Sequence, residues 1–222
     1  LPMYKWVPEY DDTEKRHKNA PEIFLVNTDI PEIKENTPAT KNATLGRNIA
    51  RVKLVLEKVT SNFILASDNH ELILSEVPST ISYTGALLPE RDQPATVELK
   101  TNVTLKPRAP ADGFLCADPI EFDIPAHRGD CHLDNPTDIT TNKMKLTVKL
   151  ERTGGGSFFI EEDVEIDKVA ICNHVLQVNI TVNDGVLFKS SIEPWDEVDL
   201  SGTIGAEYKN WLYVKSGVNG TG

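Results

Sequence analysis

The segment "KMKLTVKLE", residues 143–151, decides the fold class. Met144, Leu146, Val148 and Leu150 fall on one side of an extended chain, and Lys143, Lys145, Thr147, Lys149 and Glu151 on the other. Successive side chains of a strand point to opposite faces, so this run is a strand with one buried and one wet face. "VLQVNITV", 175–182, repeats the pattern with Leu176, Val178, Ile180 and Val182 inward and Gln177, Asn179 and Thr181 outward. Asn183-Asp184-Gly185 follows, and then "VLFKSSIEPW" returns. Asp-Gly between two alternating runs marks a hairpin, because its tight turn needs positive φ.

The first half reads the same way. "ARVKLVLE", 50–57, puts Ala50, Val52, Leu54 and Leu56 on one face, and "TVELKTNVTLK", 96–106, alternates through Val97, Leu99, Val103 and Leu105. No stretch longer than about ten residues carries a 3.6-residue period, so helix is a minor component. The 14 prolines punctuate the strands, and the crowding from Pro107 through Pro110 to Gly113 reads as a linker. Antiparallel strands with one wet face bury their apolar sides best as sandwiches. The expected architecture is all-β, with two β-sandwich domains in tandem, 1–112 and 113–222, and an extra tail over 199–222.

The bulk composition narrows the partners. The 222 residues are 39% hydrophobic and carry a formal net charge of −11, the wrong sign for a phosphate-binding surface, so no nucleic-acid partner is expected. No apolar run reaches the roughly 18 residues of a membrane span. The first residue, Leu1, is not Met, which suggests a processed or truncated chain.

Catalytic signatures are missing from the sequence: there is no G-x-S-x-G, H-E-x-x-H, P-loop or dinucleotide-binding glycine set. Glu161-Glu162-Asp163 and Asp11-Asp12 read as solvated charge, since neighbours on a strand face opposite ways. No enzyme and no cofactor are expected. The loop "AHRGDCHLDNP", 126–136, gathers His127, Asp130, Cys131, His132 and Asp134, donors suited to a transition metal if several converged. It also holds the tripeptide Arg128-Gly129-Asp130. The plainer reading, a polar turn bent at Gly129 and again at Asn135-Pro136, is preferred, and no metal is expected. Of the three cysteines, Cys116 and Cys131 close one loop or all three remain thiols; the spacing settles neither. Sequons at Asn42, Asn102, Asn179 and Asn219 arise incidentally where Asn and Thr share wet faces.

Beyond Trp195 the chain carries "YKNWLYVKS", an aromatic, β-prone run. It is either the last strand of its own sandwich or an extended segment, Tyr208, Trp211, Leu212, Tyr213 and Val214, that pairs with another subunit's sheet.

"ICNHVLQVNITVNDGVLFKSSIEPWDEV", 171–198, resembles the C-terminal end of Bacteroidales fimbrillins, the subunits of type V pili. The matching positions are Asn173 and His174 at the strand opening and Pro194, Trp195 and Asp196 at the close. "LPMYKW" at the start is similar to the family's "PM" segment. "LGRNIARVKLVLE" is similar to its R-x-x-A-R-V strand, at Arg47, Ala50, Arg51 and Val52, and "EVPSTISYTG", 76–85, to the segment that follows. The resemblance implies two transthyretin-like sandwiches, export as an outer-membrane lipoprotein precursor, and removal of an N-terminal strand. It further implies assembly with other pilin subunits into a cell-surface fimbrium by donor-strand exchange, with a host or bacterial surface receptor as a further partner. The rival is a surface lipoprotein module binding glycans, with Trp6, Tyr10, Trp195 and Trp211 as stacking platforms.

Overall fold

A computed structural model describes residues 3–25, 46–60, 65–66, 68–82, 96–109, 112–126, 143–153, 158–183 and 186–195. Every regular element among them is a strand. The first eight are β1 (Met3–Lys5), β2 (Tyr10–Asp11), β3 (Arg16–His17), β4 (Phe24–Leu25), β5 (Gly46–Arg47), β6 (Ile49–Thr60), β7 (His70–Pro78) and β8 (Thr80–Ser82). There follow β9 (Thr96–Val103), β10 (Lys106–Pro107), β11 (Phe114–Cys116), β12 (Ile120–Pro125), β13 (Lys145–Glu151), β14 (Phe158–Glu165), β15 (His174–Val182) and β16 (Val186–Pro194). The all-β expectation stands, and no helix among the described residues is long and apolar enough to cross a membrane.

Two six-stranded sheets carry the fold. One runs β10-β11-β6-β15-β16, with β12 pairing the same side of β6 as β11; the other runs β14-β13-β7-β9-β3-β2. Their inward residues form one hydrophobic cluster, a β-sandwich core. The alternation read from sequence is visible in burial. Met144, Leu146, Val148 and Leu150 are fully buried, as are Ala50, Val52 and Leu54, while Leu176, Val178, Ile180 and Val182 line the opposing sheet. Each of these side chains other than Ala50 contributes about 1.5–3 kcal/mol by leaving water. Glu76 relieves a break in that alternation. It sits at positive φ (58°) where the β7–β9 register shifts between Leu74 and Val77, a bulge that returns Val77 to the core.

Tandem domains divided near residue 112 are not what the hydrogen bonds build. The central strand β6 pairs antiparallel with β12 and parallel with β15, and β7 pairs with β13, so both sheets mix strands from the two sides of residue 112. All described residues lie in one compact unit. The proline-rich "linker" is a hairpin. β10 pairs with β11, the Phe114 N–H donates to the Asp112 carboxylate at 3.1 Å, and Gly113 takes the positive φ (80°) that the turn needs.

The N-terminal segment straps one lateral side of the sandwich. The Trp6 N–H donates to the Ser79 carbonyl (2.7 Å), and that of Ala20 to the Asp123 carbonyl (2.8 Å). Arg16 bridges β9, its register partner being Thr101, to β12, where its Nη2 donates to the Glu121 carbonyl (2.6 Å) and its guanidinium covers the Phe122 ring. At the far ends of the two sheets, β16 pairs only with β15 and β14 only with β13 among the described residues.

Candidate functional site

Arg47, Arg51, Asn173 and Trp195, four of the positions singled out in the sequence, meet at one corner, where β6 and β15 begin and β16 ends. Two arginines face the Trp195 ring: the Arg47 guanidinium lies 4.2 Å and the Arg51 guanidinium 4.4 Å from its centre. An aromatic face attracts cations through its quadrupole, more so when water is excluded. Arg47 is almost completely buried, with its charge against Glu22 at 3.1 Å and Phe24 beneath it at 5.6 Å. Arg51 Nε and Nη2 donate to the two Asp123 oxygens at 2.8 and 3.2 Å, and its Nη1 meets Glu121 at 3.0 Å. The Asp123 hydrogen bond holds the Arg51 guanidinium above its ordinary range.

The backbone beneath is equally specific. Asn173 occupies the left-handed region (φ 57°), which Asn tolerates better than most residues. Its N–H donates to the Ile49 carbonyl (2.9 Å), and its carbonyl accepts the Trp195 N–H (3.1 Å), tying β16's end to the start of β6. His174 Nδ1 lies 2.9 Å from the Cys172 carbonyl, an arrangement in which Nδ1 carries the proton, and His174 stands opposite Pro194 in the ladder. Val52 points into the core. Sequence reading singled out Arg51, Asn173 and Trp195 but missed Glu121 and Asp123. The signal was available in "IEFDIP", whose two acids fall on the face opposite Phe122 and Ile124 and pair in register with Lys53 and Arg51.

From this corner β16 runs nine residues with no partner on its outer edge among the described residues. About half of an edge strand's backbone donors and acceptors point away from its sheet. Phe188 and Ile192 pair in register with Ile180 and Leu176, which are essentially fully buried, yet remain only partly buried themselves. The core is thus less covered under β16 than under β15. Ser190 donates to the Asp167 carboxylate, linking the edge to the segment after β14.

Other sequence expectations fare differently. Trp6 is 5% exposed, a core residue and not a free stacking platform; Trp195 has the two guanidiniums against its ring, and Tyr10 meets His17 edge-on at 5.0 Å. Neither of the two cysteine readings holds, the Cys116–Cys131 loop or three free thiols: Cys116 is a free thiol and Cys172 is disulfide-bonded. Among the described residues no group of three or more His, Cys, Asp or Glu is placed to hold a metal ion. Asp196, the candidate donor residues Tyr208, Trp211, Leu212, Tyr213 and Val214, and the loop with Arg128-Gly129-Asp130 and Cys131 lie outside the described residues.

No family model matches the chain, and no curated protein matches it. Among solved structures it is similar to a candidate cell adhesion protein of Bacteroides ovatus, at 16% identity and TM-score 0.39, covering 70% of this chain and 48% of that one. It is similar also to a candidate adhesin of Bacteroides thetaiotaomicron, at 14% identity and TM-score 0.36, covering 69% and 54%. A candidate cell adhesion protein of Parabacteroides distasonis matches at 9% identity and TM-score 0.35, over the same shares of the two chains, 69% and 54%. The chain spans about half the length of these structures. The fold described above stands on the chain's own hydrogen-bond ladders and not on this likeness.

Proposed function

We propose that the chain is a non-enzymatic structural subunit of a bacterial cell-surface fimbria, of the type V pilus kind, that polymerises by strand complementation and so contributes to adhesion. Its partners on this reading are other pilin subunits and a host or bacterial surface receptor, and its route to the surface is export as a lipoprotein precursor. The observation that carries the reading is the outer β16 edge, unpaired among the described residues, with Phe188 and Ile192 half-covered beside a fully buried register. An added strand would satisfy the outward backbone groups and cover both side chains at once. The motif corner supports the same reading, since Arg47, Arg51 and Asn173 fix where β16 ends. The proposed donor is the segment around Tyr208 to Lys215, supplied by a neighbouring subunit, whose alternate side chains suit an extended strand.

Deleting residues 206–222 tests this. The truncated chain is expected to fold as a monomer that no longer forms the ladders or filaments of the full chain in light scattering at high concentration. An unfolded or insoluble truncation would make the tail a core strand of its own subunit and overturn the donor assignment.

A further inference from the structure

His70 is fully buried at the start of β7, and its two ring nitrogens bond backbone groups on two other segments. The Glu151 N–H donates to His70 Nδ1 at 2.9 Å, and His70 Nε2 donates to the Ala66 carbonyl at 2.9 Å. The Ala66 N–H in turn donates to the Glu151 carbonyl at 3.0 Å. In an antiparallel ladder, a hydrogen-bonded pair exchanges two direct N–H···O bonds. Here one bond is direct and the other passes through an imidazole ring. The neighbouring bridge, Leu65 to Arg152, and the Thr153 hydroxyl bonded to the Leu65 carbonyl (2.6 Å) depend on the same closure.

We propose that His70 is a proton-operated latch: its neutral ring splices Leu65 and Ala66 onto the end of β13, and protonation releases them. The ring needs Nδ1 as an acceptor and Nε2 as a donor, the one neutral tautomer that closes the circuit. A proton on Nδ1 sets two donors against each other, ring N–H against the Glu151 N–H, in a site without water access. The charges acting on the ring are Glu151 at the end of β13 and Asp68 before β7; on β9 its register partner is the apolar Val103. Burial, the largest influence, holds the imidazole below its ordinary value near 6.5, against the opposing pull of the Ala66 hydrogen bond, Glu151 and Asp68.

The sign follows. Above about pH 6.5 neither the latched nor the open form is protonated and the latch is at full strength. Below it the open form binds a proton that the latched form refuses, so opening rises about tenfold per pH unit until the latched ring itself titrates. The released end belongs to the β13–β14 hairpin, so acid loosens the sheet margin that β14 forms.

The test is amide hydrogen exchange read by NMR on the full chain from about pH 7.5 to about pH 4.5, corrected for intrinsic rates, with ¹⁵N-imidazole shifts in parallel. The latch predicts the Nε2–H tautomer at neutral pH. It also predicts that Ala66 and Glu151 protection falls at least tenfold below about pH 6 while Leu146 and Val178 keep theirs. Protection at Ala66 and Glu151 that is flat with pH, or that falls only in step with Leu146, overturns it. His70→Gln should leave those two amides independent of pH; if that variant does not fold, the wild-type titration decides alone.

Discussion

Arg51 holds Trp195 and Asp123 together: its guanidinium stands 4.4 Å from the indole centre while two of its nitrogens bond both Asp123 oxygens. The pair in register across β6 and β12 is thereby linked to the last described residue after β16. A planar guanidinium makes the fork and the stack simultaneously, which an ammonium does not. Arg51→Lys is therefore expected to cost about 1 kcal/mol and Arg51→Ala about 2 kcal/mol, less than a fully buried pair because Arg51 keeps some solvent contact. Urea unfolding of the two variants checks both numbers, and Trp195 fluorescence should shift to the red in each.

Because β6 and β7 recruit β12, β13 and β15 from beyond residue 112, the described strands are expected to unfold together. Calorimetry on the chain truncated after residue 205 should give one transition with equal calorimetric and van't Hoff enthalpies. A core substitution on either side, Leu54→Ala or Val148→Ala, should lower that same transition, the leucine change costing about 2–5 kcal/mol. Two separate transitions would restore the tandem arrangement.

These two predictions mark where sequence was legible and where it was not. Each strand with a wet face, β6, β9, β13 and β15, is visible in local alternation because burial imposes a period of two on every such strand. Which strand lies beside which is not local. The parallel ladder of β6 and β15 joins Arg51–Val59 to Val175–Val182, and nothing within either run specifies the other. The Pro107–Gly113 stretch misleads because turn residues serve linkers and hairpins alike. At the corner, Asn173 and Trp195 were found by resemblance, whereas the Arg47–Trp195 stack and the Asp123 fork depend on that unseen pairing.

Cysteine chemistry offers a sharp check. Cys172 is disulfide-bonded and Cys116 is a free thiol. Peptide mapping without reductant should recover the Cys172 peptide in a disulfide-linked pair, and alkylation of the native chain should label Cys116. Reduction is expected to destabilise the fold by about 2–4 kcal/mol.

Phe188→Lys separates assembly from folding. The side chain lies on the open margin, so its loss should cost the monomer only about 1 kcal/mol. A charge there meets any strand added to β16 and is the ordinary means by which edges resist pairing. Light scattering should show assembly falling at least tenfold while unfolding midpoints stay nearly level.

The most direct test of strand complementation at β16 is amide exchange by mass spectrometry on the full chain, compared between monomer and assembled fractions. Val186–Pro194 should gain protection on assembly while β15, already paired on both sides, stays unchanged. Assembly that leaves β16 exchanging as in the monomer would contradict strand complementation there.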